Sequence, residues 1–242
     1  MLLTLTICTV VTSLISGVIG MGGGVLLLSL MTFFLPLQVI VPVHGVVQLV
    51  SNISRSWYLK KDVLWSFVTP FLFGAPIGLA ISYQLIKVIT NEAYLYLILG
   101  CFIQYIIFKP KHLPEFRLQT KGWFALGIAS GIQGPLIGVT GPLLAPFFIR
   151  SDIKKENIVA TKAAQQIITH LFKIPLFISL SFDFSKYINM MSSMSIAALV
   201  GTFFGIKLLG KINKSHFQLL FKVVLFFTSL RLFYKFYLGV IL

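Results

Sequence analysis

Hydrophobic residues occur along this chain in long runs, separated by short groups of glycine or of charged residues. The runs cover residues 2–20, 23–42, 43–59, 63–86, 92–108, 122–138, 141–149, 157–182, 186–210 and 216–240. Most of them have the length that a helix needs to cross a hydrocarbon layer roughly 30 Å thick. The pattern predicts an all-α polytopic membrane protein with about 8 to 10 helical segments.

The composition agrees with a membrane protein and excludes an ordinary soluble domain. Hydrophobic residues make up 57% of the 242 positions and charged residues only 11%, whereas soluble domains carry about 25% charged residues. Residues 1–11 contain no Lys or Arg, so we expect the first run to remain as a helix rather than to be removed as a signal peptide. Cys8 and Cys101 lie in apolar runs, and we expect no disulfide, metal site or cofactor.

The chain divides near its middle into two related halves. The longest polar connection predicts a first membrane repeat at 1–108, a cytoplasmic linker at 109–121 and a second membrane repeat at 122–242. The repeated motifs are Ser16-Gly17-x-x-Gly20 with Ser130-Gly131-x-x-Gly134, Gly24-Val25-Leu26-Leu27 with Gly141-Pro142-Leu143-Leu144, and Gly74-x-x-x-Gly78 with Gly201-x-x-x-Gly205. From the second pair, a constant offset of 117 aligns His44 with Thr161, Gln48 with Gln165 and Asn52 with Thr169.

The basic residues indicate how the halves are oriented. If the first two segments of each half return to the side where they began, one face carries Lys60, Lys61, Lys109, Lys111, Arg117, Lys121, Arg150, Lys154, Lys155, Lys211 and Lys214. Only Lys87 and Lys186 then occupy loops on the opposite face. Such a basic face is expected in the cytoplasm. Each half crosses an odd number of times, which predicts inverted-topology repeats whose broken, glycine-rich segments either cross fully or re-enter.

Glycine and proline interrupt the helices at corresponding places in the two halves. The interruptions contain Gly20, Gly22, Gly23 and Gly24 in the first half and Gly134, Pro135, Gly138, Gly141 and Pro142 in the second. A broken helix leaves free N–H groups and partial positive charge at the start of its next segment, and an anion satisfies both. We therefore predict an anion site bordered by Gly22, Gly23, Gly24, Thr140 and Gly141. The alternative is that these glycines only allow tight helix crossings.

A polar stripe follows each interruption. It consists of His44, Gln48, Ser51, Asn52 and Arg55 in the first half, and of Thr161, Lys162, Gln165, Gln166, Thr169, His170 and Lys173 in the second. Amides and hydroxyls replace the water around an oxyanion, and a cation neutralises it. The predicted substrate-binding residues of the stripes are His44, Gln48, Asn52, Thr161, Lys162, Gln165 and Thr169. Three alternatives remain open: Arg55 and Lys173 reach the membrane interface, the glutamines bridge helices, and the histidines are structural.

The acidic residues favour an anionic substrate. All six lie in loops or at helix ends, namely Asp62, Glu92, Glu115, Asp152, Glu156 and Asp183. A cation pathway normally needs a carboxylate at membrane depth. No group of residues has the spacing of a metal site or of a catalytic nucleophile with its base, so we do not expect an enzyme. The net charge of +14 is spread over many short loops, which argues against nucleic acid as a partner.

The doubled motifs resemble those of the sulfite exporter TauE/SafE family of membrane permeases. The resemblance rests on Ser16 to Leu27, with its Gly-Met-Gly-Gly-Gly-Val-Leu-Leu core, and on Gly138 to Pro146 followed by Ile158-Val159-Ala160-Thr161. It implies transport of sulfite, sulfonates or thiosulfate in a bacterial inner membrane, with Gly22, Gly23, Gly24, Gly141 and Thr161 bordering the pathway. The chain departs from the family pattern at His44-Gly45, where a Thr-Ser-like pair is usual, and at Thr140-Gly141-Pro142, which has fewer glycines.

The leading hypothesis is a secondary transporter of a small anion that works by alternating access in the lipid bilayer. A second hypothesis is a channel-like or cation-coupled permease for another solute. A third is a membrane scaffold or assembly factor without transport activity. The sequence leaves open the identity of the anion, the direction of transport, the coupling ion, a proton or another, and whether the chain forms a homo-oligomer.

Overall fold

The computed structural model describes residues 1–19, 22–89, 91, 93–108, 115–148, 150–209 and 215–241. Within these residues the chain is helical and contains no strand, which confirms the all-α prediction. The helices are α1 Leu2–Ile19, α2 Gly23–Met31, α3 Leu37–Tyr58, α4 Trp65–Val88, α5 Ala93–Phe108, α6 Thr120–Ile137, α7 Gly141–Leu144, α8 Lys155–Ser179, α9 Ile188–Lys207 and α10 Ser215–Ile241. Short 3-10 turns lie at Lys60–Asp62, Ala145–Phe148 and Phe184–Tyr187.

Several of these helices suit a membrane-spanning role by length and composition. Among the described residues, the stretches long and apolar enough to cross a bilayer are Leu37–Tyr58, Trp65–Val88, Phe184–Lys207 and Lys222–Ile241. Shorter apolar helices cover Leu2–Val18 and Ala93–Phe108. The polytopic membrane class predicted from the hydrophobic runs is therefore confirmed.

One predicted boundary is wrong. The sequence pattern divides the second and third segments between residues 42 and 43, whereas α2 ends at Met31 and α3 begins at Leu37. Pro36 lies just before α3 in an extended conformation with φ −77° and ψ 158°, and a proline there keeps the residue before it out of a helix. Pro42 lies inside α3, near its beginning.

The second half begins with a re-entrant hairpin. Successive glycines show that α6 runs parallel to α4, since Gly74 lies against Phe124 and Gly78 against Ile128. The helix α8 also runs parallel to α4, because Thr161 accepts a hydrogen bond from the Leu64 N–H at 2.9 Å and Gln165 donates to the Phe67 carbonyl at 3.1 Å. The chain between α6 and α8 must therefore return to the face from which α6 started.

The first half has the same arrangement. Gly201 lies against Val10 and Gly205 against Gly17, so α1 runs parallel to α9. The helix α3 is also parallel to α9, because Val41 near its start shares an apolar cluster with Phe184 just before α9, and further along the Ser51 and Thr202 hydroxyls form a hydrogen bond of 2.9 Å. A helix of nine residues such as α2 is only about 14 Å long, less than half of a hydrocarbon core. Of the two alternatives left by the sequence, re-entrant segments are therefore the correct one.

Contacts between helices follow a two-fold pattern. The most extensive ones join α1 to α9, α6 to α4, α3 to α8 and α5 to α10. The first helix of each half thus packs on the fourth helix of the other half, as expected for inverted repeats that exchange elements. The division at 109–121 remains a prediction, because residues 109–114 lie outside the described residues.

Glycine makes the closest of these contacts possible. A Cβ added at Gly78 would collide with the Ile128 carbonyl, and one added at Gly201 would collide with the Val10 carbonyl. The pairing is two-fold, since Gly201 and Gly205 face Val10 and Leu14 of α1 just as Gly74 and Gly78 face Phe124 and Ile128 of α6, 114 positions further on. The helix pairs α4/α6 and α1/α9 therefore depend on small residues, as membrane helices commonly do.

One face of the molecule carries most of the described basic loop residues. The helices α4, α6 and α8 all begin there, next to Lys60 and Lys61, Lys121, and Lys154 and Lys155. The Ser151 N–H donates to Glu115 at 3.0 Å, and the Arg150 guanidinium, hydrogen-bonded to Asp152, lowers the pKa of that carboxyl group. Lys87 and Lys186 lie at the opposite ends of the helices. Arg117 lies on the same face, 3.7 Å from Glu115, and the other predicted members, at 109, 111, 211 and 214, lie outside the described residues.

Candidate functional site

A small cavity lies where the two re-entrant hairpins meet, beside the midpoints of α3 and α8. Its volume is about 20 Å³, which is room for a single water-sized molecule. Both halves contribute to its lining: Ser16, Gly22, Gly24, Val25, His44 and Gln48 from the first, and Val139, Gly141, Pro142, Lys162, Gln166 and His170 from the second. The described structure is therefore closed around a site that the halves share.

The two breaks that border the cavity have matching backbone geometry. Gly22 and Gly138 both have φ +92°, a conformation that glycine adopts without steric cost. Gly22 is the N-cap of α2, and no side chain caps that helix. The first N–H groups of α2 therefore lack a side-chain partner, and the helix dipole adds partial positive charge beside the cavity.

A glutamine packs on a glycine at each break. A Cβ added at Gly24 would lie 3.1 Å from Oε1 of Gln48, and one added at Gly141 would lie 3.3 Å from Nε2 of Gln166. Any larger residue would push the amide aside. Because these two glycines have no side chain, an amide of α3 and an amide of α8 each reach the backbone at the break of their own half.

The equivalent contacts of Gln48 and Gln166 correct the sequence alignment of the two halves. The helices α3 and α8 begin at Leu37 and Lys155, 118 positions apart. The offset of 117 is therefore wrong for these two helices, although it relates Gly24 to Gly141. His44 corresponds to Lys162 and Gln48 to Gln166, because the second half has one additional residue between the break and the following helix.

A pair of histidines crosses the boundary between the halves at this cavity. The ring centroids of His44 and His170 are 6.1 Å apart, with an angle of 71° between the ring planes. Both side chains are completely or almost completely buried, at 0% and 1% exposure. Nε2 of His44 lies 2.8 Å from the Gly24 carbonyl, and this bond attaches α3 to the start of α2.

Three buried cations accompany the polar stripes. Lys162 lines the cavity, and Lys173 donates from Nζ to the Gly138 carbonyl at 2.8 Å, at the end of α6. Arg55 donates to Ser51 and Asn52 within α3. Arg55 and Lys173 are 2% and 1% exposed, so neither side chain reaches the surface of the protein.

The structure places half of the twelve predicted site residues at the cavity: Gly22, Gly24, His44, Gln48, Gly141 and Lys162. Gly23 packs against Thr12 and Ser16 of α1, and Asn52 accepts a hydrogen bond from Arg55. Thr140 is buried as the N-cap of α7, and Thr169 donates to a carbonyl of its own helix. Thr161 and Gln165 face the start of α4.

Three polar residues that line the cavity were not among the predicted site residues: Ser16, Gln166 and His170. Gln166 and His170 belong to the polar stripe, and Ser16 belongs to the repeated Ser-Gly motif. An offset of 118 identifies Gln166 and His170 as the counterparts of Gln48 and Asn52.

The adjacent glutamines of α8 allow a direct test of this geometry. We expect Gln166→Leu to reduce anion flux at least tenfold without loss of thermal stability, because it removes an amide from the cavity. Gln165→Leu removes the hydrogen bond to Phe67 and should instead lower the free energy of unfolding by about 1 kcal/mol. Flux in vesicles and melting temperature in detergent, measured on both variants, distinguish the roles. The opposite assignment of effects would show that Gln165 faces the substrate.

A separate concave surface lies away from the cavity, between α4 and α8. This α4/α8 groove has a volume of about 370 Å³. It is lined by Pro76, Leu79, Ala80, Tyr83 and Gln84 of α4 and by Phe172, Pro175, Leu176 and Ser179 of α8. Each helix contributes a proline from its interior, and such prolines bend helices.

Comparison with known proteins identifies the family. The family described as Sulfite exporter TauE/SafE matches residues 5–232 of the 242-residue chain. No curated protein and no solved structure matches this chain. The matched range includes both breaks, both polar stripes and the whole cavity lining, so the resemblance seen in the repeated motifs is confirmed. The chain belongs to the sulfite exporter TauE/SafE family, whose members are membrane transporters.

Proposed function

We propose that this chain is a permease that moves a small sulfur-containing anion, such as sulfite or an organosulfonate, across the inner membrane by alternating access. The observation that carries the proposal is the cavity between two re-entrant hairpins, lined by both halves. Inverted repeats with broken helices commonly bind substrate at such a midplane position. The basic face described above is expected in the cytoplasm.

The chemistry of the lining supports an anion rather than a cation. Lys162 supplies positive charge, Gln48 and Gln166 supply amide donors, and the start of α2 supplies backbone N–H groups. Among the described residues that line the cavity there is no carboxylate. Oxyanions are bound by this combination of a cation, neutral donors and a helix N-terminus.

The size of the cavity supports a mechanism with more than one state. A volume of about 20 Å³ is too small for a sulfur atom with three oxygens, so substrate needs a more open arrangement. The hairpins provide two equivalent moving parts, one in each half. Opening one side while the other stays closed is the alternating access that inverted repeats permit.

Flux and binding measurements test this function. We expect the purified chain in lipid vesicles to exchange labelled sulfite, thiosulfate or ethanesulfonate for the same anion, and the transported anion to raise its melting temperature. Protein-free vesicles and chloride are the controls. Cation flux that does not depend on anions would favour the channel hypothesis. The absence of both exchange and thermal stabilisation would favour the scaffold hypothesis.

A further inference from the structure

The histidine pair at the cavity has a bonding pattern that transport of an anion alone does not require. Each half contributes one member, His44 from α3 and His170 from α8, and both line the cavity. Nδ1 of each ring is buried without a hydrogen-bond partner among the described residues. Buried polar atoms without a partner are costly and uncommon. At the cavity, such a ring nitrogen is in a position to bind a proton or to contact a group that the cavity holds.

The hydrogen bond of His44 identifies which atom is available. A carbonyl oxygen only accepts hydrogen bonds, so Nε2 of His44 must carry the hydrogen that it donates to Gly24 at 2.8 Å. In a neutral imidazole the other nitrogen then carries a lone pair. Nδ1 of His44 therefore presents a lone pair in a buried place, where a proton is the smallest group that can occupy it.

The charges around the pair are positive. The helix α8 brings Lys162 and Lys173 close to the histidine pair. Lys162 lines the same cavity, and Cδ of Lys173 lies 3.5 Å from where a Cβ added at Gly45, the neighbour of His44, would be. Arg55 lies further along α3. The helices α2 and α7 contain no ionisable residue, α1 contains only Cys8, and the lysines of α6 and α9 lie in their end turns.

No carboxylate in the part of the chain that the structure describes balances a proton on this pair. The acidic residues that the structure describes, Asp62, Glu115, Asp152, Glu156 and Asp183, are exposed or half-buried at the helix ends and loops. An imidazolium beside Lys162 and Lys173 is therefore destabilised until negative charge arrives. An anion in the cavity supplies that charge, so anion and proton stabilise each other in the same site.

We infer that the His44–His170 pair takes up one proton with each anion, which makes this chain a proton-coupled anion symporter. The inference rests on the proposed transport function. The proton moves from water on one side to Nδ1 of a histidine and leaves to water on the other side together with the anion. One N–H bond forms and breaks in each cycle, and no oxidant or reductant is needed. Two imidazolium ions at this distance repel each other, which limits the pair to one proton.

A pH gradient across vesicles measures the coupling. The probe is labelled ethanesulfonate, because it stays a monovalent anion and does not cross lipid in a protonated form. With the membrane potential held at zero by potassium and valinomycin, one pH unit, acidic outside, should accumulate the probe about tenfold. A pH dye trapped inside should report proton entry that begins when the anion is added.

Histidine variants assign the coupling to the pair. In His44→Gln and His170→Gln the new side chain can donate a hydrogen bond but cannot bind a proton at neutral pH. We expect slower exchange in both, and a steady-state accumulation ratio that falls from about tenfold to one. The ratio does not depend on transport rate. Thermal stabilisation by ethanesulfonate provides an equilibrium measurement: it should weaken as pH rises in the native protein and become independent of pH in the variants.

The outcomes separate the inference from the proposed function. If the native protein exchanges ethanesulfonate but a pH gradient causes no accumulation, proton coupling is overturned and anion transport stands. Full accumulation or unchanged pH dependence in both variants would overturn the role of the histidines. If ethanesulfonate, sulfite and thiosulfate are neither exchanged nor bound by the native protein, the proposed function fails and the coupling fails with it.

Discussion

Lys162→Met should lower sulfite or ethanesulfonate flux about 100-fold while the protein stays folded. Lys162 lines the cavity and is only 2% exposed, so its charge acts in a poorly solvated place. A charge-assisted hydrogen bond to an oxyanion contributes about 2 to 3 kcal/mol in such surroundings, and methionine keeps much of the side-chain volume. Initial rates of anion exchange in vesicles, at concentrations below saturation, measure the loss.

Lys155→Met is the matched control for this variant. It removes the same charge from the same helix, but Lys155 is exposed in the first turn of α8. We expect exchange by Lys155→Met to stay within about twofold of the native rate, since exposed charges are strongly screened. Equal losses in the two variants would show that the net charge of the chain matters, rather than a cation at the cavity.

Gly78→Ala should destabilise the protein by about 3 kcal/mol or more, through the addition of one methyl group. The new Cβ would collide with the Ile128 carbonyl and force α4 and α6 apart. Overpacking of a well-packed site costs about 1 to 3 kcal/mol when side chains give way, and here the obstacle is backbone. The melting temperature in detergent, together with the fraction that elutes as a single species, measures the effect.

Gly45→Ala provides the control, because a Cβ at Gly45 would make only an ordinary contact with Lys173 at 3.5 Å. Both glycines lie inside long helices, so both substitutions gain the same helix propensity of about 1 kcal/mol. We expect Gly45→Ala to melt at or above the native temperature. A Gly78→Ala protein as stable as Gly45→Ala would contradict the close contact between α4 and α6.

The fold class could be predicted because hydropathy in lipid is a strong constraint on each segment separately. Runs of about 20 apolar residues require helices, and the doubled glycine motifs revealed two halves. The start of α3 was harder to predict, because either Pro36 or Pro42 could mark the turn that precedes the helix. Both fit an apolar run with a proline, and only packing shows that Pro42 is tolerated inside the helix.

The site was harder to predict because a helix turns by about 100° at every residue. An error of one position in the offset therefore exchanged Gln166 for Gln165, which faces a different neighbour. The His44–His170 contact joins residues from different halves. A single sequence gives the composition of each polar stripe, but it does not show which members of the two stripes meet.

The two halves differ in how their long helices are held. Ser51 and Thr202 fasten α3 to α9 towards their ends, whereas α8 is hydrogen-bonded to α4 near its start, through Thr161 and Gln165, and further along faces α4 across the proline-lined α4/α8 groove. A groove leaves room for movement, but a buried hydroxyl pair loses its bond when its helices part. The free volume for helix tilting therefore lies beside the later turns of α8, beyond the cavity residues Lys162 and Gln166, and that part of α8 has the greater freedom to swing.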